Sequence, residues 1–92
     1  MAGDTGEMIA DVLRRVIAKQ LQLDPSAITP ESVLSELGAT SLDLVEIIMT
    51  VEDEYDVTIP VNAVELWNNY RTFADLVALG NSLGLERHRS GT

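Results

Sequence analysis

The chain has 92 residues, 46% hydrophobic and 23% charged, and a formal net charge of −9. That size and balance predict one free-standing domain spanning residues 1–92, ordered over about residues 5–84, too small to enclose a deep water-free active site. Without Cys there are no disulfides or Cys-ligated metals, and the acidity argues against nucleic acid and anionic membranes as partners.

No apolar run approaches the roughly 20 residues of a membrane span. The first residues also lack the basic and apolar stretches of a signal peptide. A monomeric cytoplasmic protein is therefore expected. Its acidity either serves solubility or attracts partners with basic patches.

The first helix is predicted over Asp4 to Leu21. Ile9, Val12, Leu13, Val16, Ile17 and Gln20 recur at helical spacing, with Arg14, Arg15 and Lys19 on other faces. Asp4 or Thr5 is its expected cap, and Glu7 and Asp11 suit its positive end. Pro25 ends the pattern, because a residue before proline is pushed out of the helical region.

A long connection runs from Gln22 to Thr40. Asp24-Pro25-Ser26 and Thr29-Pro30-Glu31-Ser32 each suit a single helical turn with proline in its first turn. Ile28, Val33, Leu34 and Leu37 are expected to tuck this loop against the bundle, and Gly38 to close a turn.

The second helix is predicted over Ser41 to Tyr55, opened by the capping-box pattern Thr40-Ser41-Leu42-Asp43. A short third helix is expected over Val61 to Trp67. A fourth is expected over Thr72 to Leu83, with Thr72 as cap, Asp75 three residues on, and Gly84 as stop. Glu86 to Thr92 reads as a polar, frayed tail. No alternating strand pattern occurs, so the fold class is all-α: a small bundle of three main helices plus a short one.

At about 100° per residue, the second helix shows two apolar arcs. Leu44, Ile47, Ile48, Val51 and Tyr55 form the core face. Leu42, Val45 and Met49 fall roughly opposite, edged by Glu46, Glu52, Asp53 and Asp56. Six acids and no base lie between Ser41 and Asp56. An apolar stripe edged by one sign of charge suits docking, with the carboxylates steering a basic partner and the apolar centre supplying contact. Scattered exposed hydrophobes are the plainer explanation.

Ser41 stands at the start of this helix as a nucleophile, a modification site or a capping residue. The nucleophile is disfavoured. The only His is His88, in the expected tail, and Gly38-Ala39-Thr40-Ser41-Leu42 lacks the second glycine of a hydrolase elbow. Glu52-Asp53-Glu54-Tyr55-Asp56 lacks EF-hand spacing, so no metal site is expected.

Leu37-Gly38-Ala39-Thr40-Ser41-Leu42-Asp43-Leu44-Val45-Glu46-Ile47-Ile48-Met49 resembles the phosphopantetheine-attachment segment of acyl carrier proteins. The likeness continues through Val51-Glu52-Asp53-Glu54-Tyr55-Asp56 to Ile59-Pro60, and Arg71-Thr72-Phe73-Ala74-Asp75-Leu76-Val77 resembles the start of the family's last helix. The likeness spans roughly residues 8 to 83.

The resemblance implies a carrier, not an enzyme, with 4′-phosphopantetheine on Ser41. A phosphopantetheinyl transferase would attach it from coenzyme A, and the thiol of the group would hold acyl intermediates as thioesters. Acyl-loading, acyl-modifying and acyl-transferring enzymes with basic docking patches would be the further partners. Leu42, Asp43, Val45, Glu46, Met49, Glu52, Asp53 and Asp56 would dock them. Val33, Leu34, Leu37, Ile47, Val51, Ile59 and Leu76 would shelter the acyl chain.

Thr40 stands where the family usually has Asp, and the stretch from Val61 to Tyr70 carries Trp67 and Tyr70 and is less acidic than usual. These departures suggest a polyketide or lipopeptide carrier rather than the housekeeping fatty-acid one. A peptidyl or aminoacyl carrier is the nearest alternative. A small acidic adaptor without a prosthetic group is the alternative from another class.

Overall fold

The computed structural model describes residues 8–84. In chain order it contains α1 (Ile9–Leu21), a 3₁₀ turn (Pro25–Ala27), α2 (Ser41–Tyr55), α3 (Ala63–Asn69) and α4 (Phe73–Ser82). The fold is all-α. Among the described residues no strand forms, and the one antiparallel bridge joins Val33 to Thr72.

The core follows the apolar periodicity. Ile9, Val12, Leu13, Val16, Ile17 and Ala18 of α1 meet Leu44, Ile47, Ile48, Val51 and Tyr55 of α2, with Phe73 and Leu76 of α4 closing the cluster. The face expected for α2 is the one it buries. The full burial of Ile47 marks a position where truncation to Ala costs on the order of 2–5 kcal/mol.

Helix ends depart from the expected boundaries where local capping decides them. Met8 is extended, so α1 begins at Ile9 rather than Asp4, and the Met8 side chain makes no cap hydrogen bond. The expected caps Asp4 and Thr5, the charge at Glu7 and the polar tail lie outside the described residues. α3 starts two residues later than expected, because the Asn62 side chain accepts the Glu65 N–H and sets the N-cap there. It also runs on to Asn69. In α4, Thr72 and Asp75 form the expected capping box, and Gly84 follows at φ +67°.

The long loop is tied down by backbone bonds. Pro25 opens a 3₁₀ turn capped by Asp24, whereas Pro30 lies in a simple turn closed by the Ser32 N–H on the Thr29 carbonyl. The Pro30 and Ser32 carbonyls accept the N–H groups of Ala74 and Phe73. Loop oxygens thereby satisfy donors that the first turn of α4 leaves open. Arg14 holds the other side, its Nε donating to the Ile28 carbonyl at 3.1 Å and its guanidinium lying 5.1 Å from the Phe73 ring centre. Ile28 and Leu34 are buried, and Val33 and Leu37 half-buried. Gly38, at φ +101°, takes the left-handed turn that delivers the chain to α2, a conformation costly for any residue with a Cβ.

Candidate functional site

The start of α2 is built by a reciprocal cap. Thr40 is the extended N-cap, and its hydroxyl accepts the Asp43 N–H at 3.2 Å. The Asp43 carboxylate accepts the Thr40 N–H at 2.9 Å. Gln20 of α1 reaches across, its amide donating to Asp43 Oδ1 at 3.1 Å and to Glu46 Oε1 at 2.6 Å. The Thr40 N–H, then Gln20, hold the Asp43 carboxyl below its usual range.

Ser41 is the first residue of α2 and is exposed. The capping work falls to Thr40, so the Ser41 hydroxyl is left without a hydrogen bond among the described residues. The N–H groups of Ser41 and Leu42 also have no acceptor there, as the first turn of a helix leaves them. An outward hydroxyl beside two open N–H donors fits esterification by a phosphate-bearing group. Among the described residues no His stands near it, and the single His of the chain, His88, lies outside them. The structure thus offers an acceptor hydroxyl for another enzyme to modify.

The outward arc of α2 is less uniform than its sequence. Leu42 and Met49 are 63% and 56% exposed, but Val45 is half-buried and packs on the core. The acids divide by partner. Asp43 and Glu46 are held by Gln20. Glu52 accepts the Ile59 N–H at 2.6 Å, which pins the loop after α2. Glu54 makes a two-point pair with Arg15 at 3.2 Å. Among the described residues the carboxylates of Asp53 and Asp56 have no partner, and no group of three or more His, Asp or Glu is placed to hold a metal.

The seven residues expected to shelter an acyl chain do not line one cavity. Val51, Ile59 and Leu76 border an interior gap of about 10 Å³ together with Ile9, Leu13 and Ile48. Val33 and Leu34 instead line a surface cleft of about 80 Å³ with Leu44, Trp67, Tyr70 and Arg71. Leu37 and Ile47 line neither. The inner gap is at the lower limit for a single water, roughly 10–15 Å³.

Sequence reasoning missed two features. Gln20 was read as one more position of the buried stripe of α1, yet it spans to the acids of α2. Arg71 was read only as part of the resemblance, yet it borders the cleft. Both roles depend on partners more than 20 residues away, for which no local pattern exists.

A family model described as the phosphopantetheine attachment site matches residues 11–79. The chain is 38% identical over 77 residues to the acyl carrier protein of Campylobacter curvus, covering 83% of this chain and 96% of that protein. It is 41% identical over 58 residues to the acyl carrier protein of a Picosynechococcus species, covering 62% of this chain and 72% of that protein. No solved structure matches. A small helical bundle with a free hydroxyl at a capped helix start, within a matched attachment region, is a carrier domain for phosphopantetheine. The chain belongs to the acyl carrier protein family. It is a carrier rather than an enzyme, its prosthetic group is phosphopantetheine, and its partners are a phosphopantetheinyl transferase and acyl-handling enzymes. Among the described residues no helix is long and apolar enough to cross a membrane.

Proposed function

We propose that Ser41 bears the 4′-phosphopantetheine, and that the chain holds acyl intermediates on it during fatty-acid, polyketide or lipopeptide biosynthesis. The observation that carries this reading is the division of labour at the start of α2. Thr40 supplies the cap, and Ser41 keeps an exposed, unbonded hydroxyl. When attached, the group supplies a terminal thiol that takes the acyl group as a thioester. The chain contributes the oxygen that anchors it, two N–H donors beside that oxygen, and a rigid helix that fixes where the tether begins. The base that removes the Ser41 proton comes from the transferase.

Leu42 and Met49 form the centre of the proposed docking surface, with Val45 beneath them as support. Asp53 and Asp56, without a partner among the described residues, supply the steering charge for basic partners. Asp43, Glu46 and Glu52 first serve the fold, through the cap, the Gln20 bridge and the Ile59 N–H.

Incubation with coenzyme A and a broad-specificity phosphopantetheinyl transferase tests the attachment site. The wild type should gain the mass of one phosphopantetheinyl group. Ser41→Ala should gain none while unfolding within about 0.5 kcal/mol of the wild type, the range of surface substitutions away from caps and core. A Ser41→Ala chain that still gains the group would move the attachment elsewhere. A wild type that never gains it would favour the adaptor without a prosthetic group.

A further inference from the structure

The surface cleft of about 80 Å³ lies between the loop at residues 33–35 and the C-terminal end of α3. Leu44, which lines it, follows Ser41 by three residues. Such pairs share a helix side with Cβ atoms about 5–6 Å apart, so one wall of the cleft begins a single turn from the proposed attachment point.

The cleft is held by the backbone. The Leu34 N–H donates to the Arg71 carbonyl at 2.9 Å, and the Arg71 N–H donates to Asp75 at 2.9 Å. Loop, α3 and the start of α4 are thereby locked around it. Val33, Leu34 and Leu44 make its apolar part. Trp67, 41% exposed, and the half-buried Tyr70 give it two aromatic faces.

Most of its side-chain donors have no acceptor among the described residues. Arg71 Nε makes one long bond, 3.4 Å to the Asn68 carbonyl. Among the described residues its two terminal nitrogens, the Trp67 indole N–H and the Tyr70 hydroxyl have no hydrogen-bond partner. In a chain with a net charge of −9, this guanidinium also lacks a carboxylate partner among those residues. Four terminal guanidinium N–H groups, an indole N–H and a phenol around one cleft suit a ligand rich in acceptor oxygens.

We infer that this cleft receives the end of the carried acyl group, and that it selects short acyl groups bearing an oxygen acceptor beyond the thioester carbonyl. A ketone or a terminal carboxylate shares that chemistry, and a plain alkyl chain lacks it. The inference rests on the attachment reading of Ser41 for delivery of the group. Volumes favour the cleft over the core. The cleft, at about 80 Å³, has room for several waters' worth of acyl end, whereas the inner gap of about 10 Å³ admits no acyl group until core side chains move.

Trp67 is the only tryptophan, which gives the test a native reporter. Acetoacetyl, malonyl and butyryl groups would be loaded on the phosphopantetheine form, with loading confirmed by intact mass. Trp67 emission and the amide shifts of residues 33–35 and 67–71 would then be read. Acetoacetyl and malonyl should shift these signals at least threefold more than butyryl. Their separate responses tell a ketone from a carboxylate as the preferred acceptor. Arg71→Gln should reduce both to the butyryl level.

Titrating the unmodified chain with the N-acetylcysteamine thioesters of the same three acids repeats the comparison without Ser41. Saturable shifts at Trp67 and Tyr70 with the oxygenated thioesters support the cleft even if Ser41 never loads. Equal responses to butyryl and acetoacetyl, an unchanged response in Arg71→Gln, or no response at Trp67 in either experiment would overturn it.

Discussion

The two ends of α2 carry the same kind of residue to opposite effect. At the N-terminal end, Asp43 faces the positive pole of the helix and completes a capping box, so its charge is favourable twice over. At the C-terminal end, Glu52, Asp53, Glu54 and Asp56 crowd the negative pole, with no base in the last turn. Asp56 also takes a left-handed conformation at φ 55°, which Asp tolerates better than most residues but at a cost. Two of these four acids are compensated from elsewhere, Glu54 by Arg15 and Glu52 by the Ile59 N–H. Asp53 and Asp56 are not, among the described residues. A charge run that looks uniform in sequence is therefore stabilising at one end of the helix and a liability at the other. The uncompensated pair at the costly end is where retention for partners, rather than for the fold, makes physical sense.

Breaking the favourable end should have the largest effect. Thr40→Ala removes the side-chain acceptor for the Asp43 N–H, and loss of such a cap costs about 1 kcal/mol within a range of 0.5–2. Chemical denaturation should show that loss with an unchanged slope. Thr40→Ser should restore most of it. A neutral Thr40→Ala would mean that Ser41 can take over the cap.

Relieving the costly end should have a smaller effect of opposite sign. Asp53→Lys replaces a repelled charge with one the helix terminus favours, worth roughly 0.3–1 kcal/mol of added stability at low salt. It also removes the like-charge pair Asp53/Asp56, spaced three residues apart. The melting temperature should rise while the rate of phosphopantetheine loading falls, and added salt should narrow both differences. Faster loading in Asp53→Lys would contradict a steering role for this acid.

Acidification sharpens the comparison with the smallest signal. The carboxyl of Asp43 is held low, first by the Thr40 N–H and then by Gln20. That of Asp75 is held low first by the Thr72 N–H, against a smaller opposing effect of burial. A group whose folded pKa is depressed adds stability above its unfolded value, about 3.9 for Asp, and loses it as pH falls through the lower folded value. Between pH 5 and 7 these two caps should contribute no slope. Below about pH 4 stability should fall, and Asp43→Asn or Asp75→Asn should flatten that fall in thermal unfolding. An undiminished fall in both variants would place the acid sensitivity elsewhere.

The sequence by itself determined the helices, the capping boxes at Thr40 and Thr72, and the buried face of α2, because each depends on residues within about four positions of one another. The 3.6-residue period alone separates Leu44, Ile47, Ile48, Val51 and Tyr55 from Leu42 and Met49. The motif around Ser41 likewise lies in one contiguous run, so the family was legible before the fold. Tertiary structure decided what each acid of α2 does, since Gln20 meets Asp43 across 23 positions and Arg15 meets Glu54 across 39. It divided the expected acyl lining between a small core gap and a larger surface cleft, because close packing of α1, α2 and α4 leaves Val51 and Leu76 only about 10 Å³ between them and their neighbours. It also set Arg71, with its sequence neighbours Trp67 and Tyr70, beside the loop, by a hydrogen bond between the Leu34 and Arg71 backbones that no side-chain pattern encodes.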